Sequence, residues 1–228
     1  RTAREKAELL QDAELKTVVQ AEQLKNPDSR VAWGVERETG LLEKYADSYW
    51  GLGSGDYPRF GRNFWELSKI GDEWIFQLST VEQTKLYGGR EHILLWENGE
   101  GALVNHPGSF VRGTHVWGKQ GVHVSQMRQL PVTLYTGEAW DTNSAPIIPK
   151  DPSHLPAIWC FCSSPEYNEA VRKIDQKLNV TNATLVKVPF DLEYWQKVAA
   201  EKHPNGLPEP YSDDPTQWIF HGHPAVST

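Results

Sequence analysis

The sequence predicts an α+β fold, a mixed, mainly antiparallel β-sheet with packing helices on its N- and C-terminal sides. Three observations carry that prediction. Residues 3–25 contain no Gly or Pro, residues 33–149 break into short β-type runs separated by Gly-containing turns, and helical spacing returns from Leu155.

The first segment is rich in Ala, Leu, Glu, Lys and Gln and sets Leu10, Ala13, Thr17, Ala21 and Leu24 near one helical face. Asn26-Pro27 ends it, so an amphipathic helix is predicted over 3–25. The middle zone supplies the runs EWIFQLS, HILLWE, ALVNH, SFVRGTHVW, GVHVS and LPVTLY. ENGEG at 97–101 is predicted as a hairpin loop between two of them. Beyond it, LPAIWCFCSS reads as a helix, and Ser164 with Pro165 opens another that carries Tyr167, Ala170, Val171, Ile174 and Leu178. A short strand is predicted at 185–188. Asp191 then caps a helix bearing Leu192, Trp195, Val198 and Ala199, stopped at His203-Pro204. The tail NGLPEPYSDDPTQWIFHGHP is too rich in Pro and Gly for regular structure.

The 228 residues suit one sizeable domain with small appendages. No apolar run approaches the roughly 18 residues of a membrane helix, and RTAREKAELL lacks a signal-peptide core. A cytoplasmic protein that does not meet a membrane is expected. The chain begins at Arg1, not Met, which reads as a piece of a longer polypeptide. Cys160 and Cys162 are too close to staple the fold and have no second pair to make a zinc site, so buried thiols are expected.

A net charge of -7 argues against indiscriminate coating of nucleic acid. The charge is unevenly placed. From Gly101 to Gly137 there is no Asp or Glu, while Arg112, Lys119 and Arg128 are present with His106, His115 and His123. Phosphates attract Lys and Arg, and base edges are read by Arg, Lys, Asn, Gln, Ser and His on loops. The string FVRGTHVWGKQGVHVSQMR supplies Arg112, Thr114, His115, Lys119, Gln120, Ser125, Gln126 and Arg128, with Gly between them for close backbone approach.

Other chemistry fits less well. WGLGSGD, with Gly51, Gly53 and Gly55, suggests a phosphate loop, but Pro58 and Gly61 fall where its helix would start. Pro27-Asp28 follows Glu14-Leu15-Lys16, the wrong order for a metal-dependent nuclease, and the triplet sits on a predicted helix. No Gly-x-Ser-x-Gly elbow exists. His221 and His223 lack a third metal ligand. Most of the ten Trp read as core, Trp65, Trp96 and Trp159 among them, with Trp117 the one freest to meet a ligand.

The ordered series Gly53, Asp56, Phe60, Arg62, Trp65-Glu66, Tyr87-Gly88-Gly89, ILLWENGEG, FVRGTHVWGKQGVHVSQM, LYTGEAWDTNSAPIIP, LPAIWCFCSSPEYNEAVRKID and VTNATLVKVPFD resembles the target-recognition region of large adenine-specific DNA methyltransferases. These are the type IIG restriction-modification and BREX-type phage-defence methylases. The likeness runs from about residue 33 to 224, and SDDPTQWIFHGHP is distinctive of that group. AIWCFCSS and TLVKVPF are similar, more loosely, to type I restriction specificity subunits.

The resemblance implies a helix over 1–30 linking to a methylase domain, a target-recognition domain over 31–190 with scaffold helices at 155–178, and an extension over 191–228. It implies sequence-specific double-stranded DNA recognition, with the methylase domain and other defence subunits as partners. S-adenosylmethionine belongs to the parent's methylase domain and no cofactor to this chain, whose nearest string to an Asn-Pro-Pro-Tyr motif is Asn26-Pro27-Asp28. Arg59, Arg62 and Arg90 join the eight loop residues as phosphate candidates, Arg62 with an equal structural reading as a partner of Glu66 or Asp56. A carbohydrate-binding module and a protein-interaction module of a defence complex are the alternatives.

Overall fold

The computed structural model describes residues 2–13, 17, 19–24 and 40–209. The chain divides into two units, Arg1–Val35 and Glu36–Thr228. In the first, Thr2 and Glu5 form a reciprocal cap for helix α1 (Ala3–Gln11), Thr2 Oγ1 accepting from the Glu5 amide and Glu5 Oε2 from the Thr2 amide. The predicted helix over 3–25 is broken: α1 stops at Asp12, and α2 (Gln20–Gln23) is a single turn. α1 buries no residue, and Leu10, Ala13, Thr17, Ala21 and Leu24 are all exposed. Without packing, a helix this short is marginal and propensity alone does not extend it.

The second unit is α+β, with two four-stranded sheets. The first has the order β1 (Ala46–Ser48), β8 (Ser144–Pro149), β5 (Gly121–Ser125), β6 (Val132–Tyr135), and every pair is antiparallel. The second has β2 (Gly61–Asn63), β4 (His92–Leu95), β3 (Trp74–Leu78), β7 (Ala139–Trp140), parallel only between β3 and β7. The runs EWIFQLS, HILLWE, GVHVS and LPVTLY thus form strands as expected. β8 carries two prolines in an interior strand. Pro146 fits because its backbone faces β1 where β1 has ended, its carbonyl accepting from Tyr49 N at 3.4 Å.

Strand alternation explains the layers. Val122, Val124, Val132, Leu134, Ala145 and Ile147 project from one face of the first sheet into the main core. There they meet α4 (Leu155–Cys162), α5 (Pro165–Ile174) and α6 (Leu192–Lys202). Phe161 is the centre of that layer, its ring 5.2–5.3 Å from those of Tyr167, Phe190 and Trp195. Asp191 Oδ1 caps α6 by accepting from Tyr194 N at 3.0 Å. Cys160 and Cys162 are buried here as free thiols, and burial pushes both pKa values up. The other face presents Tyr135 and Ile148 to Leu78 and Trp140 of the second sheet.

Several expectations fail for identifiable reasons. ENGEG does not close a hairpin. β4 pairs with β2 and β3, and 97–106 is held in turns by Glu97 Oε2 accepting from Ala102 N and Asn105 Nδ2 donating to Gly101 O. SFVRGTHVW is not a strand, because Gly113 takes φ 76° and Thr114–Val116 is a 3-10 turn. The segment at 185–188 is likewise no strand: Leu185 and Val186 belong to a 3-10 turn, Asn182–Val186, and are buried in the core. α5 ends at Ile174, leaving Leu178 exposed. Trp159 is core, but Trp65 is about half exposed and Trp96 only partly buried. His221, His223 and the tail from residue 210 on lie outside the described residues, as do Glu14-Leu15-Lys16 and Pro27-Asp28; residues 205–209 form neither helix nor strand, as expected.

Arg90 joins the sheets. It is 3 % exposed, and its guanidinium donates to Glu138 Oε1 (2.6 Å), Leu134 O (2.7 Å), Thr136 Oγ1 (3.0 Å) and Gly88 O (3.1 Å). Its face lies 4.1 Å from the Tyr87 ring centroid. Burial alone would raise the Glu138 pKa, but the Arg90 charge and the Thr136 hydroxyl bring it below the usual carboxylate value. Removing one member strands the other's charge, so Arg90→Met is expected to cost about 3–5 kcal/mol in urea unfolding. The double variant Arg90→Met/Glu138→Met should recover part of that loss; equal stability of the single and double variants refutes the coupling.

His123 is a second buried ionisable group. Neither ring nitrogen has a hydrogen-bond partner among the described residues, and the ring stacks on Tyr135 at 6.0 Å. Burial, aided by the Arg90 charge, lowers its pKa to about 3. Between the ordinary value near 6.5 and about 3, the unfolded chain binds a proton that the folded chain refuses. Stability is therefore whole above about pH 6.5 and falls as pH drops towards about 3, by roughly 1.4 kcal/mol per pH unit. His123→Leu should remove this slope, so that melting temperatures at pH 7 and pH 5 differ less than in the parent chain by an amount worth ~2 kcal/mol.

Candidate nucleic-acid interface

The segment 110–120 crosses the junction of the two sheets, fixed at intervals and open between. Phe110 and Gly53 exchange backbone hydrogen bonds of 3.0 and 2.9 Å. At Gly113 a Cβ would lie 2.3 Å from the Trp140 ring, so glycine is required both for the positive φ and for the close approach. Val116 is fully buried, and Trp117 packs between two apolar clusters with its ring 5.2 Å from that of Trp96. Trp117 is thus an anchor rather than the free aromatic expected from its glycine neighbours. Gly118 N donates to Gly137 O at 3.0 Å, closing the segment onto the β6–β7 turn.

Between these anchors, Arg112, Thr114, His115, Lys119 and Gln120 are exposed. Arg112 stacks between two aromatic side chains, its guanidinium carbon 4.6 Å from the Trp50 ring centroid and 5.3 Å from that of Phe110. Trp50 is 52 % and Phe110 41 % exposed, so the cluster faces solvent. His115 meets Tyr49 edge-on at 5.1 Å. Among the described residues no carboxylate lies within ion-pair distance of Arg112, Lys119, Arg128 or Arg59.

The remaining candidates separate. Arg128 is exposed on the turn after β5, with φ 56°, at the opposite end of that strand from Lys119 and Gln120, on the order of 13 Å of strand away. Arg59 is exposed on the short helix α3 (Tyr57–Phe60), 4.9 Å from the Phe60 ring. Arg62 pairs with neither Asp56 nor Glu66; its Nη1 donates to Pro58 O and Gly61 O, and Asn63 takes Glu66 instead. Three candidates are withdrawn. Arg90 is consumed by the buried network that joins the sheets. Ser125 is buried, its Oγ accepting from Val81 N at 2.8 Å. Gln126 is buried and donates from Nε2 to Val180 O at 2.8 Å. Ser125 is turned inward by the alternation of β5 and Gln126 by its bond to Val180, which an acid-free sequence window does not show.

Phe110 also divides two hollows. One, of about 360 Å³, lies between Trp50 and the Asn179–Thr181 stretch, with the buried Gln126 in its wall. The other, of about 540 Å³, opens beside Gln77 and His92 on the two interior strands of the second sheet. Its polar lining includes Gln77 and His92, directly opposed on β3 and β4, with Tyr57, Ser79 and Asp141. Tyr57 Oη and His92 Nδ1 are 2.8 Å apart. Asp141 is organised by the fold: Oδ2 accepts from Ser79 Oγ at 2.6 Å, and Oδ1 from Ser144 Oγ at 2.6 Å and Asn143 N at 2.9 Å. None of these residues, nor Trp50 or Phe110, stands out in the sequence. Gln77 falls at the polar position of an alternating strand and reads as solvent-facing, and WGLGSGD draws attention to its glycines rather than to Trp50.

No family model matches the chain, and no curated protein matches it.

Proposed function

We propose that this chain is a sequence-specific double-stranded DNA recognition region of an adenine-N6 DNA methyltransferase of a restriction-modification or phage-defence system. It holds the duplex while an S-adenosylmethionine-binding domain of the same cytoplasmic protein extracts and methylates the base. The observation that carries the reading is Arg112, exposed, stacked on Trp50 and Phe110 and without a carboxylate partner among the described residues, on a glycine-hinged segment that also presents Thr114, His115, Lys119 and Gln120. Stacking fixes the guanidinium plane and leaves its edge donors free for a phosphate or a guanine edge. Arg59 and Arg128 add unneutralised charge at other points of the surface, suited to following a phosphate backbone. The resemblance of the ordered strings to adenine-specific methylases supports the reaction class; the helices α4–α6 are the scaffold side, open to contact with the methylase domain or other defence subunits.

The carbohydrate alternative wants an open row of aromatic faces beside carboxylates. Here the space between the two exposed rings is occupied by Arg112. Binding to a pool of random-sequence duplexes, followed by fluorescence anisotropy from 50 to 200 mM salt, tests the reading. Lys119→Ala is expected to weaken binding to all sequences and to reduce the slope of log K against log salt by about 1. Arg112→Ala should cost about 1–3 kcal/mol of affinity, with melting temperature unchanged. Duplex affinity unaltered in both variants removes the DNA interface; no duplex binding at any salt favours the protein-interaction module.

A further inference from the structure

Gln77 lies on an interior strand of the second sheet and is only 4 % exposed, yet its side-chain amide has no hydrogen-bond partner among the described residues. It opens into the hollow of about 540 Å³ described above. A buried amide is normally paired, and one left open towards a cavity marks a place where a ligand completes the hydrogen bonding.

The lining narrows the ligand class. No Lys or Arg lines the hollow, which disfavours an anion inside it. Asp141 is its single carboxylate, and three donors from Ser79, Asn143 and Ser144 already occupy that group, which leaves little for a metal ion or a sugar hydroxyl. What remains open is neutral and two-sided. The Gln77 amide offers one acceptor and two donors in a plane, and the cross-strand neighbour His92, with Nδ1 taken by Tyr57, keeps Nε2 without a partner among the described residues. Phe110 supplies an exposed aromatic wall. Such a set suits a flat heterocycle with adjacent donor and acceptor on its edge, as Gln pairs with the N6/N7 edge of adenine, and a π face to stack. Arg112, 5.3 Å from the Phe110 ring, lines neither hollow.

We propose that this hollow is a nucleobase site, in which Gln77 reads the base edge and Phe110 stacks on its face. The base comes either from a free nucleotide or from an unpaired position of nucleic acid; the inference rests on the DNA-recognition reading only for the second source.

The test uses the whole chain with three probes: adenosine monophosphate, a fully paired duplex, and the same duplex carrying 2-aminopurine opposite an abasic site. Wild type is expected to bind the nucleotide, or to prefer the abasic duplex over the paired one, with a change in 2-aminopurine fluorescence. Gln77→Leu should reduce that binding or preference by about tenfold or more while leaving affinity for the paired duplex unchanged, and Phe110→Ala, which also removes a ring from beside Arg112, should reduce it at least as much. Gln77→Glu, nearly isosteric, serves if Gln77→Leu lowers the melting temperature. Saturation by adenosine monophosphate alone identifies a free nucleotide as the source, and preference for the abasic duplex alone identifies an unpaired base. Salt-dependent duplex binding with no nucleotide binding and no abasic preference overturns the nucleobase site and leaves the DNA-recognition reading standing. Gln77-dependent nucleotide binding without any duplex binding does the reverse.

Discussion

Arg90 places a permanent positive charge in the interior, and the geometry of the second unit follows from the need to satisfy it. Its guanidinium donors reach a strand carbonyl of the first sheet, a turn carboxylate, a turn hydroxyl and a carbonyl of its own approach segment. No apolar contact is so selective, because burial free energy has no direction whereas four hydrogen bonds fix position and orientation together. The segment leading to Arg90 is drawn along β6, with Lys85 N donating to Val132 O and Leu134 N to Leu86 O, so the outer edge of the first sheet is covered as well. From there the chain turns into β4, and the two sheets share one interior.

The functional surface depends on that join. Trp140 on β7 is fully buried between the sheets, and its ring and carbonyl set the limits within which Gly51 and Gly113 must approach. Gly113 releases the 110–120 segment from extended geometry, and Val116 with Trp117 ties it down again. Arg112 therefore projects beside Trp50 and Phe110 because of packing several residues away from it. The hollow behind Phe110 has the same origin, since it lies where β3 and β4, the glycine-rich 51–55 turn and the β7–β8 connection fail to fill space.

Much of the architecture was legible from local patterns. β3 to β6 follow apolar runs bounded by turn residues, α5 starts at Pro165 without a capping bond from Ser164, and α6 follows Asp191, whose carboxylate accepts from the Tyr194 amide. The failures share a cause. SFVRGTHVW has the composition of a strand but contains Gly113, which the Trp140 ring demands, and 185–188 has an apolar run that the core takes up without a strand ladder. SAPIIP, conversely, forms an interior strand because β1 is too short to need the missing Pro146 amide. Each outcome depends on a neighbour distant in sequence.

By itself the sequence determined the α+β class, the order of helical and extended zones, the buried thiols, and the acid-free stretch that leaves Arg112 and Lys119 without local carboxylates. These are properties of composition and short-range periodicity, and they survive any choice of tertiary partner. The tertiary structure alone decided which polar groups are spent and which are free. Arg90 and Gln126 are equivalent to Arg112 and Gln120 as letters, but burial obliges the first two to pair with groups inside the fold, while exposure leaves the other two available. Gln77 shows the converse, a residue at a polar strand position that the second sheet buries and leaves open only towards a cavity, because hydrogen-bond supply in an interior is set by geometry and not by sequence distance.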